Sequence, residues 1–161
     1  DGPAASGDNL DRVFADASQR GESAMTLWFE AARLAAERAS SDLIGELADI
    51  IEAHHGAVTG GASGMDEDAL FHLKVAEASG NVLLRTLISV LAPDIIKLSE
   101  RSDTCREGRG SDASQEHQRI LDAIRERNAD AASEAMADHI SRSRQQHERI
   151  VGAIPGKEAE A

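Results

Sequence analysis

The stretch "DEDALFHLKVAEASGN", residues 66–81, decides the fold. Its apolar residues recur at helical spacing, and the pair Gly80-Asn81 then ends the pattern. In the helix that this spacing predicts, Asp68 and His72 are four residues apart, so their side chains lie on one face, near enough to share a ligand. The alternative is that Asp68 only complements the helix dipole and that His72 is a partly buried core histidine.

The composition predicts that the rest of the chain is helical as well. The 161 residues suffice for one domain with a core, 41% of them are hydrophobic, only 2% are aromatic and none is Tyr. A core of Ala, Leu, Ile and Val suits helices better than sheets. About six apolar blocks have helical period, and Pro93 should kink or divide one of them. We therefore expect an all-α protein, a bundle of about six to seven helices.

The blocks also give approximate boundaries. The predicted helices lie near 10–19, 24–39, 42–55, 66–79, 82–101 and 112–127, with a last helix after the turn at Asn128 to about 153. Ser40 or Ser41 is the expected N-cap of the third helix, and Asp66 that of the fourth. Small polar residues at 1–9 and 155–161 predict mobile tails, which leaves 10–154 as the domain.

Charge and cysteine content exclude several classes of protein. The formal net charge of −12 makes this chain a poor ligand for DNA or RNA by itself. A single cysteine, Cys105, can form neither an internal disulfide nor a thiolate metal cage, which fits the cytoplasm. We expect no membrane span and no signal peptide, because the most apolar run is interrupted by Arg85, Pro93 and Asp94. The start at Asp1 without methionine suggests a piece of a longer protein.

A second pair of residues points to metal binding. His117 and His139 each lie eleven residues from Asn128, so in a helical hairpin both sit roughly 16 Å from the turn at ~1.5 Å per residue. Apolar residues at helical spacing flank both histidines, which predicts that they point inward. Together with Asp68 and His72 they would form a nitrogen and oxygen site for a divalent transition metal, zinc first and Ni, Mn or Fe as alternatives. Otherwise the histidines are separate core or surface residues.

The remaining histidines are not expected to be ligands. His54 and His55 are placed at a helix end, as partners of its dipole, and His147 lies about two turns beyond His139. Catalytic motifs are absent as well: the chain has no HExxH sequence, and Glu52 with His55 forms only one copy of the ExxH motif that diiron bundles carry in pairs. We expect no catalytic residues and no enzyme.

Three segments resemble a known family. They are "DALFHLKVAEASGNVLL", "EHQRILDAIRERNADAASEAMADHI" and "ARLAAERASSDLIGEL". They are similar to the ligand-binding C-terminal (FCD) domain of FadR-type regulators in the GntR superfamily of bacterial transcription factors, over roughly 27–150. The most specific feature is D-x3-H followed by SGN, with two later histidines twenty-two residues apart.

The resemblance implies an antiparallel helical bundle whose central cavity holds a metal. Carried over to this sequence, the ligands would be Asp68, His72, His117 and His139, the four residues that spacing also selects. In such regulators the metal helps to bind a small carboxylate effector. An N-terminal winged helix-turn-helix binds the operator as a dimer, and effector binding changes that affinity.

Two features depart from the family pattern. No winged helix precedes residue 10, and the R-x3-E pair common in the family corresponds to Ala24 and Trp28 here. Asn81 and Arg85 are candidates for an effector-binding cavity wall; alternatively, Asn81 caps a helix and Arg85 is a solvated charge.

The sequence thus predicts the effector-sensing and dimerisation domain of a metal-dependent bacterial transcriptional regulator. It would act as a cytoplasmic homodimer, bind a small carboxylate through the metal, and contact DNA only through a missing N-terminal domain. Two alternatives stay open: a helical-bundle metalloenzyme acting on a small acid, and a purely structural metal.

Overall fold

The fold is all-helical, as predicted. The computed structural model describes residues 22–90 and 109–153, and no strand occurs in these two ranges. The described helices are α1 (Glu22–Arg38), α2 (Ser41–Thr59), α3 (Met65–Ala78), α4 (helical over 82–90), α5 (Arg109–Arg125) and α6 (Ala129–Ala153). The helix predicted near 10–19, the kink at Pro93 and both tails fall outside the described residues.

Helix α2 begins where the sequence predicted and ends later. Ser40 is its N-cap, and the Ser40 hydroxyl oxygen accepts a hydrogen bond from the Leu43 backbone N–H at 3.2 Å. The predicted end at residue 55 was wrong, because the helix continues to Thr59 and only then meets the turn at Gly60. His54 and His55 therefore lie inside the helix and not at its end.

Helix α3 starts from a glycine. The predicted N-cap Asp66 is wrong: the cap position is Gly64, which has a left-handed backbone with φ of 73°. A Cβ atom at Gly64 would lie 2.8 Å from the His54 ring and from Val58. Glycine is therefore required both by the backbone angle and by the close approach of α3 to α2.

Helices α5 and α6 form the antiparallel hairpin that the sequence predicted. The turn between them places Arg127 in the left-handed region with φ of 58°, and the Asn128 side-chain oxygen accepts from the Ala131 N–H at 3.1 Å. The Arg127 guanidinium also donates to the Ala36 carbonyl at 3.3 Å, which ties this turn to α1. The hairpin sets His117 and His139 opposite one another.

The core lies between α1 and the other helices. Helix α1 packs on α6, α3 and α5, while α2 packs on α5 and α3. Four fully buried alanines on α1 permit close helix packing: Ala31, Ala32, Ala35 and Ala36. Larger side chains with no solvent exposure come from the other helices: Leu47, Phe71, Ile88, Ile120, Leu121, Ile124 and Met136. None of the described helices has the length and apolar character needed to cross a membrane.

Replacing Leu47 with alanine should lower the free energy of unfolding by about 2–5 kcal/mol, because a fully buried leucine leaves a cavity. Urea unfolding followed by the fluorescence of Trp28, the single tryptophan and itself buried, measures the change. Leu83→Ala is the matched control, since Leu83 is 69% exposed and its loss should cost less than about 0.5 kcal/mol. Equal effects of the two substitutions would contradict this packing.

Candidate metal centre

The first two candidate ligands lie on α3. Asp68 is in the first turn, where its carboxylate faces the positive end of the helix dipole, and His72 follows one turn later. The distance from His72 Nε2 to Asp68 Oδ2 is 4.0 Å. Gly64 sets the start of α3 and thus the position of both side chains along the bundle.

The other two candidate ligands face each other across the α5–α6 hairpin. His117 is fully buried and His139 is 2% exposed, and their ring centroids are 4.7 Å apart. Phe71, also fully buried, stacks on the His117 ring at 4.1 Å with an interplanar angle of 23°. This contact fixes the plane of His117 and links α5 to α3.

All four residues converge. His72 Nε2 is 3.0 Å from His139 Nε2, and His117 Nε2 is 3.2 Å from Asp68 Oδ1. One ligand atom from each residue lies within 4.8 Å of every other. The structure therefore brings together three imidazoles and one carboxylate, a group that can hold a metal ion.

Burial keeps two of these imidazoles neutral. It lowers the pKa of His72 to about 3, against the opposing effect of the Asp68 carboxylate, and it lowers the pKa of His117 despite the contact with Asp68. Burial by itself would raise the pKa of Asp68, but the contact with His117 and the neighbouring imidazoles hold it below its usual range. At neutral pH His72 and His117 therefore offer neutral nitrogens and Asp68 an ionised carboxylate, which are the protonation states that metal binding requires.

The donor set fits a metal by a second test. Three buried nitrogens have no hydrogen-bond partner among the described residues: His72 Nδ1, His117 Nδ1 and His117 Nε2. His117 Nε2 faces the group, 3.2 Å from Asp68 Oδ1, and a buried polar atom without a hydrogen-bond partner calls for an explanation such as a bound ion. An imidazole binds a given metal through one nitrogen, so a metal at the Nε2 atoms would not account for the two Nδ1 atoms. Nitrogen and carboxylate ligands suit divalent transition metals.

A second layer of polar residues, which the sequence did not predict, surrounds His139. Its Nδ1 lies 2.8 Å from Glu116 Oε2, and Glu116 Oε1 accepts from Arg142 Nη1 at 3.0 Å. Glu116 is 6% exposed. The sequence does carry a signal for Glu116. It directly precedes His117, which lies as many residues from Asn128 as His139 does, so Glu116 is also at the level of His139 in the hairpin.

His54 is also closer to the centre than predicted. It is 2% exposed, its Nδ1 lies 2.7 Å from the Ser114 hydroxyl oxygen, and its ring centroid is 5.5 Å from that of His117. Burial lowers its pKa. His54 continues the apolar stripe of Leu47 and Ile51 at helical spacing, which was the missed signal. His55 is exposed, and the side chain of His147 lies outside the described part of the chain.

Asn81 and Arg85 lie at the other end of α3. The Asn81 side-chain oxygen accepts from the Leu84 N–H at 3.1 Å and caps α4, and the Arg85 side chain is exposed. Since α3 rises ~1.5 Å per residue, Ser79 at its end is already roughly 10 Å from His72 along the axis. A role of Asn81 or Arg85 in effector binding stays a prediction.

Comparison with known proteins gives one family match. The model of the FCD domain family matches residues 25–142. No match was found among curated proteins.

Two solved structures show the same fold. GntR from Streptococcus agalactiae superimposes with a TM-score of 0.67 and 29% identity, over 84% of this chain and 59% of that one. McbR/YncC from E. coli gives a TM-score of 0.69 at 17% identity, over 92% of this chain and 68% of that one. This chain thus spans less than two thirds of the length of the S. agalactiae protein. The family match covers most of the helical bundle, and one of the two neighbours is itself named GntR. The chain belongs to the FCD domain family, as a regulatory domain and not an enzyme.

Proposed function

We propose that this domain senses a small carboxylate effector at a metal held by Asp68, His72, His117 and His139. The observation that carries the proposal is the convergence of these four residues from three helices, with one converging nitrogen, His117 Nε2, that is buried and has no hydrogen-bond partner among the described residues. Each of α3, α5 and α6 supplies at least one ligand, so metal and effector together would bias how these helices pack. In a FadR-type regulator, an attached winged helix-turn-helix would transmit that bias to DNA.

The number of ligands supports an open coordination sphere on a metal that takes six ligands. Four protein ligands would then leave two positions, enough for a bidentate carboxylate.

Charge supports an anionic effector. A divalent metal with Asp68 as its one anionic ligand keeps a residual charge near +1, which attracts small anions such as hydroxy acids or sugar acids. The chain as a whole has a net charge of −12, so DNA contact would belong to the winged helix-turn-helix and not to this domain.

Exposed apolar side chains support the proposed homodimer. Leu70, Val82, Leu83 and Val90 are between 47% and 71% exposed on α3 and α4, where a second copy could cover them.

The purified protein should contain about one divalent transition metal per chain. His139→Ala should weaken metal binding by more than roughly 100-fold, because losing a ligand should cost more affinity than losing a residue that only hydrogen-bonds to a ligand. Elemental analysis and chelator competition measure content and affinity. His55→Ala is the matched control, because His55 is exposed on α2 and should leave affinity unchanged. Protein that takes up no metal on dialysis would refute the site.

A carboxylate effector at 100 times its Kd should stabilise the metal-loaded protein by about 2.7 kcal/mol and raise Tm by roughly 5–10 °C. A thermal-shift screen of hydroxy acids and sugar acids, run with and without metal, tests this. Stabilisation should need the metal and should be lost in His139→Ala. Equal stabilisation of the metal-free protein would show that the metal is not the anchor. If no carboxylate stabilises either form, a purely structural metal becomes the better account.

A further inference from the structure

We infer that Glu116 is a positioning residue: it holds His139 as the tautomer protonated on Nδ1 and so presents a bare Nε2 nitrogen to the centre of the ligand group. The inference rests on the proposed metal site, and it adds a residue outside the four ligands. It concerns the orientation and tautomer of one imidazole, which are observable in the metal-free protein.

The contact between Glu116 and His139 leaves one proton arrangement. An ionised carboxylate only accepts hydrogen bonds, so at 2.8 Å the proton between Glu116 Oε2 and His139 must be carried by Nδ1. Both side chains are buried, with 7% and 2% exposure, so water competes poorly for this hydrogen bond. The Nε2 lone pair of His139 is then directed away from Glu116, towards His72 Nε2 at 3.0 Å.

Arg142 holds the Glu116 carboxylate in place. Its Nη1 donates a hydrogen bond to Glu116 Oε1 at 3.0 Å, while Glu116 Oε2 accepts from His139 Nδ1. Each carboxylate oxygen therefore has its own partner. Arg142 follows His139 by three residues on α6, which brings both to the same side of the helix. A buried carboxylate without such a cation would be costly, and Arg142, about half exposed, supplies the charge from the surface.

The arrangement couples two ligands on neighbouring helices. Glu116 and His117 are adjacent on α5 and point in directions about 100° apart, so one faces His139 and the other faces Asp68. A rotation of α5 that weakened the contact between Glu116 and His139 would also move His117. A carboxylate behind a metal-bound imidazole is a general device that fixes the ring and raises its basicity, and its removal commonly costs 10–100-fold in metal affinity.

A first experiment measures the tautomer without metal. Long-range ¹H–¹⁵N NMR of the histidine rings in metal-free protein, assigned with His139→Ala, should show His139 protonated on Nδ1. In Glu116→Gln the side-chain amide can accept or donate, so the preference should fall and the Nε2–H form should appear. Wild-type protein with His139 protonated on Nε2 would overturn the inference, as would a tautomer that Glu116→Gln does not change.

A second experiment measures metal affinity by chelator competition, at a temperature where circular dichroism shows every variant folded. Glu116→Gln should weaken binding by about tenfold or more. Glu134→Gln removes the same charge from an exposed position on α6 that lines the same surface cleft as Glu116, and it should change affinity by less than about twofold. Unchanged affinity in Glu116→Gln, or an equal loss in both variants, would overturn the positioning role.

Two further outcomes separate this inference from the proposed function. If wild-type protein binds no metal, the proposed function fails, while the NMR measurement on metal-free protein still decides whether Glu116 sets the tautomer. If Glu116→Gln does not fold, Arg142→Gln is measured in its place. Loss of the Arg142 cation should release Glu116 and weaken metal binding at least threefold. A metal affinity within twofold of wild type would refute the positioning role of Glu116.

Discussion

The structure depends on gathering three largely buried imidazoles and one partly exposed carboxylate at one point between α3, α5 and α6. Polar atoms without partners are costly in a protein interior, and here three ring nitrogens lack hydrogen bonds among the described residues. The bundle supports this arrangement with the stacking of Phe71 on His117 and the close approach of α3 to α2 at Gly64. A metal would satisfy one of these nitrogens, His117 Nε2, and would link three helices.

The proposed regulation rests on the positions of the four candidate ligands in the bundle. Asp68 and His72 lie on α3, whereas His117 and His139 lie on the two arms of the hairpin. A metal held there would fix the relative position of all three helices, and an effector bound to it would favour the packing that suits its own contacts. Such a site would act by shifting a conformational equilibrium and would need no catalytic acid or base. This agrees with membership of a family of regulatory domains.

Much of this could be predicted from the sequence, because helical periodicity and turn chemistry are local. The four candidate ligands follow from one spacing of four residues and from equal distances to Asn128, and the structure brings them together. The predicted end of α2 was wrong because the glycine-rich stretch that begins at Gly56 favours a loop, whereas α2 continues through Gly56 to Thr59. Residue spacing carries a signal for both Glu116 and His54, which the sequence prediction did not use. Their partners, His139 and Ser114, depend on the rotation of each helix about its axis, which tertiary packing sets.

One measurement tests the central claim most directly: an anomalous difference map from crystals of protein loaded with one equivalent of a divalent transition metal. The account predicts one strong peak per chain, within about 2.0–2.2 Å of the imidazoles of His72, His117 and His139 and of the Asp68 carboxylate. It also predicts additional non-protein ligands on the metal. A peak elsewhere in the chain, or no peak between these four side chains, would contradict it.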